Sequence, residues 1–352
     1  MIFLFQRETA KIKGGIKMKK NIMLALTAAL ILSVAGCSDS KSGNSGSVST
    51  PASTSSSSSS TTSSVDEGTP TPDTDVPEES KEFAGLAGFE TAANNSSLIA
   101  GGSFCDAGEG FYYADDTGIY HITDEKTKLI YEGKAYAMSM HNNRLYFLQE
   151  AGNVCVYSGE QVNTVVKCSA KTAAASSTGI YYIDGNDRLH RSDGIDEVSV
   201  ENKVNSLNIA GSYVIYTEAE TSRLCAYDAA NGSVITIAKN GTAPVVSGDK
   251  VYYVNENGGI DSISLVDGSK TSAAEACSGN IAVQDSAVYY INGTKICALS
   301  DGELTELYTA ADEAAELSAL SVCDGTIYFT ENGKVMKLSD NTATEFTVAV
   351  TE

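Results

Sequence analysis

The sequence predicts an all-β fold, a seven-bladed β-propeller of about 36 residues per four-stranded blade, behind an N-terminal signal and a disordered linker. Three observations predict it. Paired bulky residues recur at Tyr112-Tyr113, Tyr146-Phe147, Tyr181-Tyr182, Ile215-Tyr216, Tyr252-Tyr253, Tyr289-Tyr290 and Tyr328-Phe329, at intervals of 34, 35, 34, 37, 37 and 39 residues. Most pairs are followed by tight-turn chemistry, such as Asn257-Gly258-Gly259 or Asn332-Gly333, which supplies the positive φ of a hairpin. A short apolar run then begins again, as in Val154–Tyr157 or Ile296–Leu299.

The first element is an address. Met18-Lys19-Lys20 is basic, Ile22 to Leu32 is apolar, and Val34-Ala35-Gly36 is small, the order of a secretory signal over residues 1–37. The apolar run is too short for a permanent span. Translation is expected to start at Met18, because the signal is already complete from that residue. Residues 38–80 follow as a linker rich in Ser, Thr and Pro, with a Ser55–Ser60 run and four of the five prolines. Such a segment cannot bury enough apolar area to offset its conformational entropy, so it predicts a flexible stalk.

Residues 81–352 carry the repeats. Each reads as four strands of about five residues joined by short turns. Apolar residues on both faces of a strand, as at Val154, Cys155, Val156 and Tyr157, fit sheets covered on both sides by neighbouring blades. The run before each pair places Cys105, Ser139, Ala174, Asn208, Val245, Ala282 or Ser321 at one position, mostly small residues suited to strands crowded around an axis. The best helical stretch, Ala310–Glu316, reads as an insertion that lengthens the last interval. Either Leu98–Ala100 or Thr344–Val350 is expected to complete the last blade. A β-helix would need shorter repeats, and a sandwich would not repeat seven times.

Two resemblances follow from these residues. Val34-Ala35-Gly36-Cys37 resembles the lipobox of bacterial lipoproteins, which implies diacylglycerol on the Cys37 thiol, cleavage before it and attachment to the cell membrane. The aromatic pair, the Asn/Asp-Gly turn and runs such as Ile296-Cys297-Ala298-Leu299-Ser300 resemble the YWTD-type propellers of bacterial surface lipoproteins and, more distantly, those of low-density-lipoprotein-receptor-like proteins. The resemblance covers about residues 98–350, and the absence of Trp from the chain makes the receptor kinship loose. It implies ligand or protein binding and brings no catalytic motif.

Composition narrows the partners. The net charge is −21, with 17 basic and 37 acidic side chains in residues 81–352, which argues against nucleic acid. Seven cysteines remain beside Cys37, and Cys155, Cys225 and Cys297 share one position in non-adjacent repeats, so buried thiols are expected. Cys105 and Cys323 come from the repeats that closure makes neighbours and are the best disulfide candidates. His121, His141 and His190 do not converge by spacing on a metal or catalytic pair. Asp115-Asp116 and Asp184–Asp187 read as hairpin turns rather than Ca²⁺ loops. Gly258-Gly259 lacks the helix a phosphate cradle needs, and the Tyr pairs read as interblade core rather than a carbohydrate platform.

The expected function is that of a lipid-anchored extracytoplasmic protein that binds a protein or glycan at one face of the ring without catalysis. No catalytic, cofactor or metal-ligating residue is assigned. The alternatives are a lyase or glycoside hydrolase with Asp/Glu and Tyr at the channel mouth, or an envelope-assembly scaffold.

Overall fold

A computed structural model describes residues 82–89, 98, 100–194, 197–201 and 203–349. The signal, the linker, Met18 and Cys37 lie outside the described residues. Those described belong to one compact unit, Val76–Glu352. They fold into seven four-stranded antiparallel sheets, each continuous in sequence: blade 1 spans 104–132, blade 2 135–166, blade 3 170–201, blade 4 204–238, blade 5 242–274, blade 6 281–309 and blade 7 317–345. Innermost strands touch in order from blade 1 to blade 7, and that of blade 7 (Leu317–Cys323) touches that of blade 1 (Phe104–Asp106), so the ring closes. The fold is the predicted seven-bladed β-propeller.

The doubled aromatics are the side-chain logic of the ring. Neighbours in a strand point to opposite faces, so one pair serves two interfaces. The first member packs toward the next blade and the second toward the preceding one: Tyr112 meets Phe147, Tyr181 meets Tyr216, and Tyr252 meets Tyr290, each couple in one apolar cluster. Full burial of such a ring stabilises the fold by roughly 1.5–3 kcal/mol. Across each second strand, Cys105, Ser139, Ala174, Asn208, Val245, Ala282 and Ser321 pair with the first member of the pair, and all seven are buried. A larger side chain there would meet the neighbouring blade.

Among the described residues, side chains close the ring. Blade 7 builds its own fourth strand, Thr342–Glu345, and Phe346 and Val348 then fold over the joint with blade 1. Phe104, Phe111, Tyr113, Tyr328 and Phe346 form one aromatic cluster there. Leu98 does not complete a blade; it belongs to the apolar cluster that also holds Ala137, Ala173 and Leu207 of the innermost strands of blades 2, 3 and 4. The Ala310–Glu316 stretch is a turn, with the Ala315 amide donating to the Asp312 carbonyl at 3.0 Å, and is a loop between blades 6 and 7.

No described cysteine forms a disulfide. Cys105 packs toward blade 2 with Met138 and Phe147, whereas Cys323 packs toward blade 1 with Phe104. The two thiols that sequence offered as a bridge therefore belong to different interfaces. Burial pushes the Cys225 thiol up to about 11 and raises those of Cys155, Cys297 and Cys323 as well. Such groups behave as small hydrophobes.

Candidate functional site

The innermost strands begin on one face of the ring, here the upper face, and end on the lower face. Their beginnings frame the upper mouth of the central channel. A cavity of about 300 Å³ opens there, lined by Leu98, Thr172, Asn205, Ser206, Leu207, Thr217, Thr242 and Ala243. Backbone irregularities recur at the starts of the innermost strands, and one of them, at Ala243, lines the cavity. In blades 2, 5 and 7 the innermost strand shifts register near its start, at Ala137 (φ 52°), Ala243 (φ 48°) and Ala319 (φ 51°). A left-handed alanine in a strand widens and turns it, the geometry of a bulge.

Polar side chains lock neighbouring blades around this mouth. The Asn208 amide donates to the Pro244 carbonyl at 2.7 Å, and the Thr217 hydroxyl donates to Gly241 at 3.2 Å. Asn280 donates to the Leu320 carbonyl at 2.6 Å and accepts from its amide at 2.9 Å, so one side chain imitates a strand partner. The described lining offers hydroxyls, an amide and aliphatic surface, and no ionisable group. The alternative of a hydrolytic or lyase centre expects paired carboxylates at the channel mouth, and the described lining does not bring such a pair together.

A second concavity lies between blades 4 and 5. This is the interface where Ile215 stands in place of the first aromatic, facing Tyr253. Residues 82–89 strap the lower side of the same joint, with Leu86 in the cluster and Phe83 and Phe89 against it. The Leu86 amide donates to Leu265 at 2.7 Å, and the Tyr213 hydroxyl donates to the Ala87 carbonyl at 2.7 Å. Gly85 is required: at φ +99° a Cβ there would sit 2.1 Å from the Val266 carbonyl oxygen. A cavity of about 770 Å³ lies beside Glu82, Phe83, Arg223 and Thr236–Lys239, and another of about 360 Å³ is lined by Lys239, Asn240, Tyr253, Asn255, Glu256, Asn257, Asp261 and Lys270 over Ile237, Ala238 and Ile263.

The sequence-derived turns and histidines fall elsewhere. Asp115 accepts from the Thr117 amide at 2.8 Å and the Gly118 amide at 3.1 Å, closing its own hairpin. Asp184 accepts in the same way from the Asn186 and Arg188 amides and also from the Arg188 side chain, and its Oδ2 lies 3.1 Å from His190 Nε2. Burial pushes the Asp184 carboxyl up, but these donors outweigh it and hold it far below the usual carboxylate range. His190 Nδ1 lies 3.2 Å from Glu197 Oε1, and its ring stacks on Tyr182 at 5.0 Å. In blade 4 the corresponding Glu218 holds Arg223 at 2.6 Å and is likewise lowered. The repetition marks Asp184 and Glu218 as caps of the turn between second and third strands. The His121 ring lies tilted against Tyr112 of blade 1 and His141 contacts Asn142 of blade 2, so the three histidines stay on separate blades.

Sequence reasoning passed over the joint of blades 4 and 5, although two signals were present. Ile215 breaks the aromatic series, and Asp261 stands in the third-strand position held by Cys155, Cys225 and Cys297.

No family model matches the chain, and no curated protein matches it. Among solved structures it is similar to BamB from Moraxella catarrhalis, at 14% identity over 71% of this chain and 87% of that one, with a TM-score of 0.48. YCF48 bound to D1 peptide matches at 10% identity over 76% and 99% of the two chains, TM-score 0.47. The computationally designed Ika8 protein matches at 13% identity over 74% and 87%, TM-score 0.47.

Proposed function

We propose that this chain is an extracytoplasmic lipoprotein, held to the cell membrane through Cys37 and a Ser/Thr stalk, whose propeller binds a protein segment or a glycan at the upper mouth without catalysis. One observation supports the binding half: in a repeat region with 37 acidic and 17 basic side chains, the cavity at the mouth is lined with hydroxyl, amide and aliphatic groups and by no ionisable side chain. Such a surface hydrogen-bonds neutral peptide or sugar groups and favours no strongly charged ligand. The anchoring half rests on the order basic, apolar, small and Cys in residues 18–37. The YWTD-type kinship stays part of the proposal, resting on the repeat motifs alone.

Two experiments test the halves separately. The chain expressed in its host enters the detergent phase on Triton X-114 partitioning, and the Cys37→Ala variant stays in the aqueous phase; equal partitioning of both rejects the anchor. The soluble Cys37→Ala chain captures a partner from intact cells, and adding Thr242→Arg and Asn205→Arg at the mouth abolishes capture. Undiminished capture by the arginine variant moves the binding surface elsewhere.

A further inference from the structure

We infer, on the reading that the upper mouth is the binding face, that it receives the tip of a protein turn that carries glycine, with a backbone carbonyl of the partner seated on the bulge of blade 5. The cavity of about 300 Å³ opens over two bulged strands. In blade 4 Asn205 falls between the cross-strand couples Val204–Glu218 and Ser206–Thr217, and in blade 5 Ala243 and Pro244 fall between Thr242–Val254 and Val245–Tyr252. A bulged residue steps out of the ladder, so its peptide group is offered to the mouth rather than to a neighbouring strand.

The ring itself shows how such a bulge is filled. In blade 2 the Ala137 amide donates to the Gly101 carbonyl at 3.4 Å and the Met138 amide to the Gly102 carbonyl at 3.2 Å. Gly101 and Gly102 are both left-handed, at φ 90° and 68°, so the filler is a glycine turn. A Cβ on Gly102 would lie 2.4 Å from the Ala137 Cα, and only glycine approaches that closely. In blade 7 the side-chain amide of Asn280 takes both the N–H and the C=O of Leu320. Blade 5 repeats the left-handed alanine at Ala243, but there Asn208 reaches only the Pro244 carbonyl, and Pro244 has no N–H. Ala243 instead borders the open cavity.

An amide group meets the bulge in blades 2 and 7, so the group complementary to the open one is a peptide bond. Because Pro244 stands where Met138 stands in blade 2, one hydrogen bond from the Ala243 N–H to a partner carbonyl replaces the two of blade 2. Thr172, Thr242 and Asn205 can pair the remaining polar atoms of a turn, and Leu98 and Leu207 give apolar contact. Thr242 and Asn205 are exposed, so a partner reaches them without unfolding the mouth. Among the described residues no aromatic ring lines the cavity to stack the C–H face of a sugar. Its size admits the tip of a turn but not a helix, which is about 10–12 Å across with its side chains.

A displayed library of random peptides, panned against the soluble Cys37→Ala chain, is the probe, with cellobiose and chitobiose as sugar controls. Selected peptides carry a glycine beside uncharged polar residues. Changing that glycine to alanine in the synthetic peptide weakens binding about tenfold, because the added methyl group holds the carbonyl away from Ala243. On binding, the Ala243 amide proton moves downfield in the NMR spectrum, whereas that of Met138, already bonded to Gly102, stays. Thr242→Arg and Asn205→Arg, at exposed positions, keep the melting temperature and abolish binding. No selected peptide, a preference for either sugar, a glycine that alanine replaces without loss, or an unmoved Ala243 amide each overturns the glycine-turn proposal and leaves the mouth as a binding face for another ligand. Peptide binding undiminished in both arginine variants rejects the mouth itself, and the proposal with it.

Discussion

The Phe104 ring stacks on the Tyr328 ring with centroids 4.4 Å apart and planes 18° apart, and this contact joins the first blade to the last. Among the described residues no strand is hydrogen-bonded across the joint, and each of the two sheets has its own four strands. Phe104→Ala is expected to cost about 3–5 kcal/mol, the usual range for emptying a buried phenylalanine site. Urea denaturation measures the loss, and hydrogen exchange should rise first in blades 1 and 7. Exchange rising first in blades 3 and 4 would show that the ring opens elsewhere.

The alanines at the mouth carry backbone strain. Ala137, Ala243 and Ala319 sit at φ 52°, 48° and 51°, where glycine is free of the Cβ clash. Replacement by Gly removes a clash of about 1–2 kcal/mol and adds about 0.5–1 kcal/mol of unfolded-state entropy. The net expectation for Ala243→Gly is a small gain, and for Ala243→Val a loss of more than about 1 kcal/mol. Thermal melts of the two variants give the order; a destabilised Gly variant beside a tolerated Val would contradict the left-handed backbone.

Asp184 makes the fold acid-sensitive. Its folded-state value is depressed, so its stabilisation is fully present above the ordinary carboxylate value of about 3.9 and disappears as pH falls through the folded value below it. Asp184→Asn is therefore expected to be less stable than the parent at pH 7, and the gap should narrow between about pH 5 and pH 2. Urea midpoints across that window decide. A constant gap would mean that the ionised carboxylate contributes nothing beyond its amide isostere.

The strap depends on a position that only glycine fills. Gly85→Ala places a methyl group 2.1 Å from the Val266 carbonyl oxygen at φ +99°. The strap should leave the joint of blades 4 and 5, exposing Leu86 and Tyr213 and raising proteolysis N-terminal to residue 98. Leu86→Ala, which keeps the backbone, is expected to cost about 2–5 kcal/mol. Unchanged protease resistance in Gly85→Ala would place the strap's hold elsewhere.

The architecture was readable because it is periodic. Tyr112-Tyr113 and its six counterparts recur for one physical reason, a strand that must feed two interfaces, so the spacing carried the blade count. Turns such as Asp184–Asp187 were readable from composition because their side chains cap their own backbone. The sites were harder to read because they arise where the pattern breaks. Asp261 is an ordinary residue singly, and becomes part of a cavity wall when the fold sets it beside Lys270, nine residues further on. The strap was missed for a related reason: Phe83, Leu86 and Phe89 have no counterpart in the repeats, and their partners lie more than a hundred residues downstream.

Because every blade is made from one unbroken stretch of chain, synthesis can finish each sheet as soon as its own stretch has emerged. The N-terminal strap has no such independence. Phe83 and Leu86 are made before any blade, yet their dock at Tyr213 and Leu265 exists only after the fourth and fifth sheets are built. A chain halted before that point carries Phe83 and Leu86 uncovered, which gives a quality-control protease a simple mark by which to tell an incomplete ring from a finished one.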